Sequence, residues 1–228
     1  MRSYGQYCPV ARAAEVLGDR WTMLVVRDLV EGVHRFSDLS QGLPGMSRTL
    51  LTQRLRSLER EGLIERRPAA DGHREYWLTP IGEDLRPALL ALGDWAARSY
   101  SRDPVRRELD ARVMLVWVAR HVRRETLPPG RFLVRFDFTA PRSANWLLVE
   151  DGEPSVCTND PGFEPDLVVE TDVATLNRVF AGRLALSAAL RGGAIALDGA
   201  PGAVRSFSRW FGYSPFAETG RSLAARTA

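Results

Sequence analysis

The sequence predicts two domains of different fold class, a mostly helical domain followed by an α+β domain. The chain has 228 residues, enough for two domains of roughly 100 residues each. Apolar residues recur at helical spacing over much of residues 8–98, whereas they alternate with polar residues over 131–138, as in a half-buried strand. A polar stretch at residues 100–104 separates the two patterns, so we expect domains over 1–100 and 105–228.

The composition limits the classes of protein that need to be considered. Hydrophobic residues make up 45% of the chain and charged residues 26%, which is typical of a globular rather than a disordered protein. No run of about 18 apolar residues occurs, which excludes a transmembrane helix. Residues 1–6 lack the apolar region of a signal peptide, so we expect a cytoplasmic protein.

The basic residues number 31 and all of them are arginine, with a net charge of +3. This small excess does not by itself indicate nucleic-acid binding. The lack of lysine excludes Schiff-base catalysis, including pyridoxal phosphate chemistry. The two cysteines and three histidines lack the spacing of a metal site, and no catalytic pair or phosphate-binding glycine motif occurs. We therefore expect no metal, no cofactor and no enzymatic activity.

Glycine, proline and serine divide the first 62 residues into four expected helices. Pro9 suits the first turn of the first helix, which Gly18 ends. Ser47 can cap the fourth helix, because its hydroxyl can accept a hydrogen bond from a free N–H of the first turn. The expected helices span residues 9–17, 20–30, 35–42 and 48–61. The apolar stripe expected on the second consists of Trp21, Leu24, Val25 and Leu29.

The fourth helix has an apolar face and a polar, cationic face. Leu51, Leu55 and Leu58 recur at i, i+4 and i+7, which predicts one buried stripe. At 100° per residue the opposite face carries hydrogen-bonding groups and cations but no acid. Such side chains read base edges and phosphates in a major groove. The residues on this face are Thr49, Gln53, Arg56 and Arg60, with Thr52 beside them.

A basic hairpin follows the fourth helix. The expected strands span 63–67 and 74–79, joined by a tip with an Asp71-Gly72 turn signal. Arg66, Arg67 and Arg74 place three cations beside this loop. A further helix over 80–98, with a bend or break at Pro87, carries a wide apolar surface of the kind that packs against a second subunit.

Together these elements form a winged helix-turn-helix, with a recognition helix over 48–61 and a wing over 65–78. Between Ser47 and Arg74 the chain has seven arginines and four acidic residues, so the positive charge is concentrated here. We expect double-stranded DNA as the partner. The candidate DNA-binding residues are Arg35, Ser47, Arg48, Thr49, Thr52, Gln53, Arg56, Arg60, Arg66, Arg67, His73 and Arg74.

Several motifs occur together in residues 8–96. They are Cys8-Pro9-Val10, Gly18-Asp19-Arg20-Trp21, Arg35-Phe36-Ser37-Asp38-Leu39, Leu43-Pro44-Gly45-Met46-Ser47, the stretch 51–63, and Tyr76-Trp77-Leu78-Thr79-Pro80. In order and spacing they resemble the HxlR-type winged helix regulators of bacteria. This resemblance implies a homodimer on short pseudo-palindromic DNA, assembled through the N-terminal helices and the helix after the wing. Cys8 corresponds to a cysteine that some members use to sense oxidants, although it also suits a dimer seam as a small apolar residue.

The C-terminal pattern predicts an α+β domain. The expected strands span 131–138, 144–151, 153–157, 166–170 and 195–197, and the expected helices span 115–124, 172–180, 183–190 and 203–211. Its motifs include the stretches 166–172, 180–182, 190–199 and 207–211, and they resemble a sterol-carrier-protein-type domain. That resemblance implies a mixed sheet with helices over one face, enclosing an apolar cavity for a lipid or another hydrophobic small molecule.

Seven apolar residues are candidates for the wall of such a cavity, although ordinary core packing is the better explanation for each of them taken singly. They are Phe136, Phe138, Trp146, Phe180, Leu186, Trp210 and Phe211. The sequence therefore predicts a dimeric transcriptional regulator whose C-terminal domain binds a hydrophobic effector. Two alternatives remain: a lipid carrier whose N-terminal domain only dimerises, and a regulator whose C-terminal domain is purely structural.

Overall fold

The computed structural model describes residues 3–69, 71–100 and 102–227. Contacts between residues divide the chain into two compact units, Met1–Leu92 and Gly93–Ala228. This division falls inside a helix, ahead of the polar stretch at residues 100–104. Among the described residues, none of the helices has the length and hydropathy required to cross a membrane.

The first unit consists of helices and one hairpin. Its elements are α1 (Pro9–Leu17), α2 (Thr22–Val30), α3 (Phe36–Gly42), α4 (Arg48–Arg60), β1 (Ile64–Pro68), β2 (Arg74–Leu78), α5 (Pro80–Glu83) and the start of α6 (Arg86–Ser99). Strands β1 and β2 are antiparallel, with Ile64 opposite Leu78. The break expected near Pro87 is confirmed, because α5 ends at Glu83 and α6 begins just before the proline.

The core of the first unit forms where α2, α3, α4 and the hairpin meet. Leu51, Leu55 and Leu58 are each 1% exposed, which confirms the expected stripe on α4. The stripe expected on α2 was wrong at Leu24, which is 39% exposed. Helix α2 begins at Thr22, after Trp21 in a left-handed conformation, and buries Val25, Val26, Leu29 and Val30 instead.

The second unit is an α+β structure that contains the end of α6 and all later elements. These are α7 (Ala111–Arg120), β3 (Phe132–Thr139), β4 (Arg142–Glu150), β5 (Glu153–Cys157), β6 (Leu167–Thr171), α8 (Val173–Phe180), α9 (Leu186–Arg191), β7 (Ile195–Gly199), α10 (Pro201–Trp210) and α11 (Ala217–Thr227). Short 3₁₀ turns cover Arg106–Glu108 and Arg124–Thr126.

The five strands form one mixed sheet in the order β5-β4-β3-β6-β7. Strands β3 and β6 are parallel, and the other neighbours are antiparallel. On β3, Phe132, Val134, Phe136 and Phe138 point into one core together with residues of α7, α8, α9 and α10. Arg135 and Asp137 alternate with them and lie half-buried on the opposite face. The helices of this core therefore cover one face of the sheet.

Two helices of the second unit differ most from the sequence prediction. The helix expected over 115–124 is α7, which starts earlier because Asp110 accepts a hydrogen bond from the N–H of Val113 (3.0 Å) and caps it. Helix α11 was not predicted at all. It packs through small residues, Ala217 and Gly220, so its sequence has no strong apolar stripe.

Gly220 is required by the close approach of α11 to the α8–α9 loop. A Cβ at this position would overlap the carbonyl of Ala181, whereas a Cβ on Gly202, near the start of α10, would meet nothing within 4 Å. We expect Gly220→Ala to lower the free energy of unfolding by about 1–3 kcal/mol. Gly202→Ala is the matched control and should not destabilise the protein. Urea denaturation followed by circular dichroism compares the two, and equal midpoints would contradict this packing.

Candidate nucleic-acid interface

Helix α4 presents the polar face that the sequence predicted for it. Ser47 caps the helix, and its hydroxyl accepts a hydrogen bond from the N–H of Leu50 (3.2 Å). Because three leucines of the opposite face are buried, the side chains on this face remain accessible. Four of them are exposed: Thr49, Gln53, Arg56 and Arg60. Thr52 is half-buried, and its hydroxyl donates to the carbonyl of Arg48 (2.9 Å).

The cations on α4 differ in how strongly they are held. The guanidinium of Arg48 lies over the ring of Phe36, with 4.9 Å between the guanidinium carbon and the ring centroid. Arg56 and Arg60 form no ion pair with any residue that the structure describes. Their charges are therefore available to an external anion.

Arg54 fastens α4 to the turn between α1 and α2. Its Nη1 donates to Asp19 Oδ2 (2.6 Å) and its Nε donates to the carbonyl of Arg20 (3.3 Å). The side chain of Arg54 is 20% exposed, so it is turned away from the open face of the helix. The sequence analysis did not assign this role, because Asp19 and Arg54 are distant in sequence. The sequence feature that could have indicated this contact is the Gly18-Asp19-Arg20-Trp21 motif, because it contains both partners of Arg54.

Two wing arginines are paired with glutamates. Arg66 Nε donates to Glu59 Oε1 (2.8 Å), and this carboxylate raises the pKa of Arg66 above its ordinary value. Arg67 donates to Glu65 (2.7 Å) and lies over the ring of Trp77, 4.8 Å from its centroid. Arg74 is exposed and forms no ion pair among the described residues.

The tip of the wing is tied to the residue that precedes α3. Arg35 Nη1 lies 2.7 Å from Asp71 Oδ2, and Arg35 Nε lies 3.5 Å from Glu75 Oε1. The backbone N–H of His73 donates to Asp71 and is the main cause that lowers the pKa of this carboxyl, followed by Arg35. Arg35 and His73 are exposed, as the prediction of DNA contacts requires.

His34 adds a ring contact at the base of the wing that the sequence analysis did not identify. Its ring stacks on Trp77 with 3.6 Å between centroids. Its Nδ1 lies 3.0 Å from the carbonyl of Tyr76, which can only accept, so Nδ1 donates. The N–H of Tyr76 in turn donates to the carbonyl of His34 (2.8 Å). These contacts hold the segment before α3 against β2.

Cys8 lies directly before α1 and is exposed as a free thiol. On α1, Glu15 is only 6% exposed and accepts hydrogen bonds from Ser3 Oγ (2.8 Å) and from the N–H of Tyr4 (2.7 Å). The hydrogen bond from the N–H of Tyr4 is the largest cause that lowers the pKa of Glu15. Glu15 thereby ties the start of the described chain to α1.

The seven cavity candidates do not converge on one open cavity in the second unit. Six of them lie in the packed core: Phe136, Phe138, Phe180, Leu186, Trp210 and Phe211. Trp146 lies on the other face of the sheet, opposite Arg135 and Cys157 of the neighbouring strands. Of the seven, Leu186 and Phe138 border surface grooves, and these two grooves are different ones. The described residues contain no cluster of three or more His, Cys, Asp or Glu side chains suited to a metal ion.

Comparison with known proteins agrees with the fold of the first unit. The HxlR-like helix-turn-helix family matches residues 16–104. The HTH-type transcriptional regulator YtfH of Escherichia coli is 38% identical over 94 residues, which cover 40% of this chain and 75% of YtfH. YvaP of Bacillus subtilis, of the same type, is 37% identical over 94 residues, covering 40% of this chain and 87% of YvaP. The solved structure of the reduced regulator YodB from B. subtilis is 29% identical, covering 41% of this chain and 95% of YodB, with a TM-score of 0.36.

The fold and these relatives define a transcriptional regulator with a winged helix-turn-helix, and not an enzyme. The chain belongs to the HxlR-like helix-turn-helix family. The match ends at residue 104, so most of the second unit lies outside it.

The contact between Arg35 and Asp71 predicts that the pKa of Asp71 changes measurably when Arg35 is replaced. We expect Arg35→Gln to raise the pKa of Asp71, but to leave it below its ordinary value of 3.8, because the N–H of His73 is the larger cause. Since the folded pKa is lowered, the contribution to stability is present above pH 3.8 and is lost as the pH falls through the folded pKa. Carboxyl ¹³C shifts report the titration. Arg60→Gln is the control, and an unchanged pKa in Arg35→Gln would show that the ion pair does not form in solution.

Proposed function

We propose that the protein is a homodimeric regulator that binds pseudo-palindromic double-stranded DNA through α4 and the wing, with an effector-binding second unit. The exposed face of α4 carries this proposal. It combines Thr49, Gln53, Arg56 and Arg60 with no acidic side chain between them. An operator on the chromosome implies that the protein acts in the cytoplasm.

Helix α4 has a width that fits the major groove of DNA. An α-helix with its side chains is about 10–12 Å wide, which matches the roughly 12 Å width of the major groove. We assign base edges to Thr49, Gln53 and Arg56, because these exposed side chains carry hydrogen-bonding groups at the centre of the face. We assign phosphates to Arg48 and Arg60 towards the two ends. Ser47 acts as the cap, and Thr52 remains a contact at the flank.

The wing is assigned to the phosphate backbone. Arg66, Arg67 and Arg74 are exposed along β1 and β2, with Arg35 and His73 at the tip. Phosphate contacts fix the position of a protein on DNA without reading its sequence. Because three of these arginines already hold carboxylates, a phosphate must either displace an internal acid or share its guanidinium with that acid.

Dimerisation is supported by the apolar surface left open on the first unit. No residue of α6 is buried, although Leu90 and Leu92 lie on it with 41% and 49% of their surfaces exposed. Val10 on α1 and Met23 on α2 are also exposed, at 75% and 42%. A contiguous exposed apolar patch marks an interaction surface, and we propose that these residues belong to one. Two recognition helices in a dimer then read half-sites about one DNA turn, roughly 34–36 Å, apart.

The effector part of the proposal rests on the second unit. A mixed sheet with helices over one face is the arrangement that a sterol-carrier-like domain implies. A hydrophobic ligand that binds one dimer arrangement more tightly would change the affinity for DNA by linkage. Cys8 remains a candidate for oxidant sensing, since its thiol is accessible at the start of α1.

Selection of genomic fragments with the purified protein tests the proposed function directly. We expect enrichment of a short inverted repeat, and footprinting of that repeat should protect two half-sites. Uniform recovery of all fragments at physiological salt would contradict sequence-specific binding.

The division between base and phosphate contacts predicts different behaviour of two variants. Gln53→Ala should lower discrimination between the selected operator and random DNA, by about 1–3 kcal/mol for a bidentate contact. Arg74→Ala should weaken binding to all sequences alike and reduce the slope of log K against log salt by about one. Fluorescence anisotropy across a salt series measures both quantities. Identical changes in the two variants would refute the assignment.

The apolar surface predicts that a charge on α6 weakens the dimer. We expect Leu90→Glu to raise the dimer dissociation constant at least about ten-fold, because the carboxylate would be desolvated in the interface. Ser37→Glu, on exposed α3, is the control with the same added charge. Sedimentation velocity over a concentration series gives the constant, and circular dichroism verifies folding. An unchanged dimer in Leu90→Glu would place the interface elsewhere.

A further inference from the structure

The second unit contains a groove of about 580 Å³ that lies outside the aromatic core. It is bordered by the α8–α9 loop, α9, the end of α10 and α11. Its volume is within the usual range of small-molecule sites. The residues around it are Gly182, Arg183, Leu184, Ala185, Leu186, Ser187, Leu190, Ser208, Tyr213, Arg221 and Ala224.

The charged residues of this groove are all cationic. Two arginines and no aspartate or glutamate border it. Arg183 is already engaged, because it donates to Asp103 and to Asn177 Oδ1 at 3.1 Å each. Arg221 is exposed and lies 5.7 Å from the ring centroid of Tyr213, and no described carboxylate pairs with it. The groove therefore offers one uncompensated positive charge.

Apolar and hydroxyl groups surround that charge. Leu184 and Leu190 pack against the core but are only half-buried, so part of each side chain remains open. The hydroxyls of Ser187, Ser208 and Tyr213 form no hydrogen bond to another described residue. An apolar wall beside a free guanidinium and free hydroxyls suits a ligand with two chemically different ends.

Helix α11 is held firmly enough to form a fixed wall. Gly182 and Gly220 allow the α8–α9 loop and α11 to touch through their backbones. On its other side α11 is joined to the second half of α6, where Thr219 donates to Asp94 and the ring of Phe216 fills the space beside Gly93. The groove is therefore already formed without a ligand, which reduces the entropy lost on binding.

We propose that this groove binds an amphipathic organic anion, with its apolar body against Leu184, Leu186 and Leu190 and its carboxylate on Arg221. The free hydroxyls supply further donors to the carboxylate. This inference rests on the proposed effector-binding role of the second unit and specifies its site and ligand class. It also places the ligand away from Phe136, Phe180, Trp210 and Phe211, which lie in the packed core.

The test compares decanoate with decanol on the full-length protein, since the two differ only in the charged end. We expect calorimetry to give a dissociation constant at least about ten-fold lower for decanoate, as a charged hydrogen bond implies. Arg221→Gln should remove this preference. Arg205→Gln, which alters an exposed arginine of α10 outside the groove, should retain it. Ser187→Trp, a change at an exposed position bordering the groove, should block both ligands.

Two outcomes would overturn the inference. Equal affinity for decanoate and decanol would show that Arg221 does not bind the carboxylate. Failure of the folded wild-type protein to bind decanoate would show that the groove is not a binding site. Anisotropy with the selected operator, measured on the same samples, separates these failures from a failure of the DNA-binding proposal. If the protein binds its operator but not decanoate, only the proposal of a ligand site in the groove is refuted.

Discussion

The burial of three leucines on one face of α4 is the constraint on which the proposed DNA-facing surface depends. Leu51, Leu55 and Leu58 are each 1% exposed in the core of the first unit. Because the helix cannot rotate without exposing them, the direction in which Gln53 and Arg56 point is set by packing and not by any ligand. Arg54 adds a directional contact, since its guanidinium is held by Asp19. The proposed DNA-reading surface is thus held in place by residues that are not themselves assigned to DNA contacts.

The charge of the interface is organised in two ways. On α4, Arg56 and Arg60 stand free of internal carboxylates among the residues described. On the wing, Arg66 and Arg67 are held by glutamates, and Arg35 by Asp71 and Glu75. Exposed ion pairs of this kind contribute little to stability. Their effect is on geometry, because each carboxylate limits the positions that its partner guanidinium can take.

The parts of the fold that the sequence predicts are those determined by local chemistry. Ser47 accepts the cap hydrogen bond that its position suggested, and the leucine stripe of α4 is buried. Contacts between segments that are distant in the sequence, such as that of Arg54 with Asp19, could not be derived from the sequence. Helix α11 escaped prediction because its contacts use Ala217 and Gly220, whose small side chains leave no periodic signal. Aromatic residues in the sequence indicate burial, but they do not distinguish a filled core from a cavity, and the groove is bordered mainly by other residues.

The internal pairing of the wing has a consequence for how such a regulator would search a genome. A random DNA segment competes with Glu59, Glu65 and Asp71 for the same guanidiniums, so each non-specific encounter gains less than the number of arginines implies. Because specific and random DNA share the phosphate contacts of the wing, the acids would lower the affinity for both alike, and discrimination would rest on the base contacts of α4. The pairing of the wing arginines would then shorten the time that the protein spends on DNA without the operator. The occupancy of the operator would depend on the ratio of specific to non-specific affinity more than on the total positive charge.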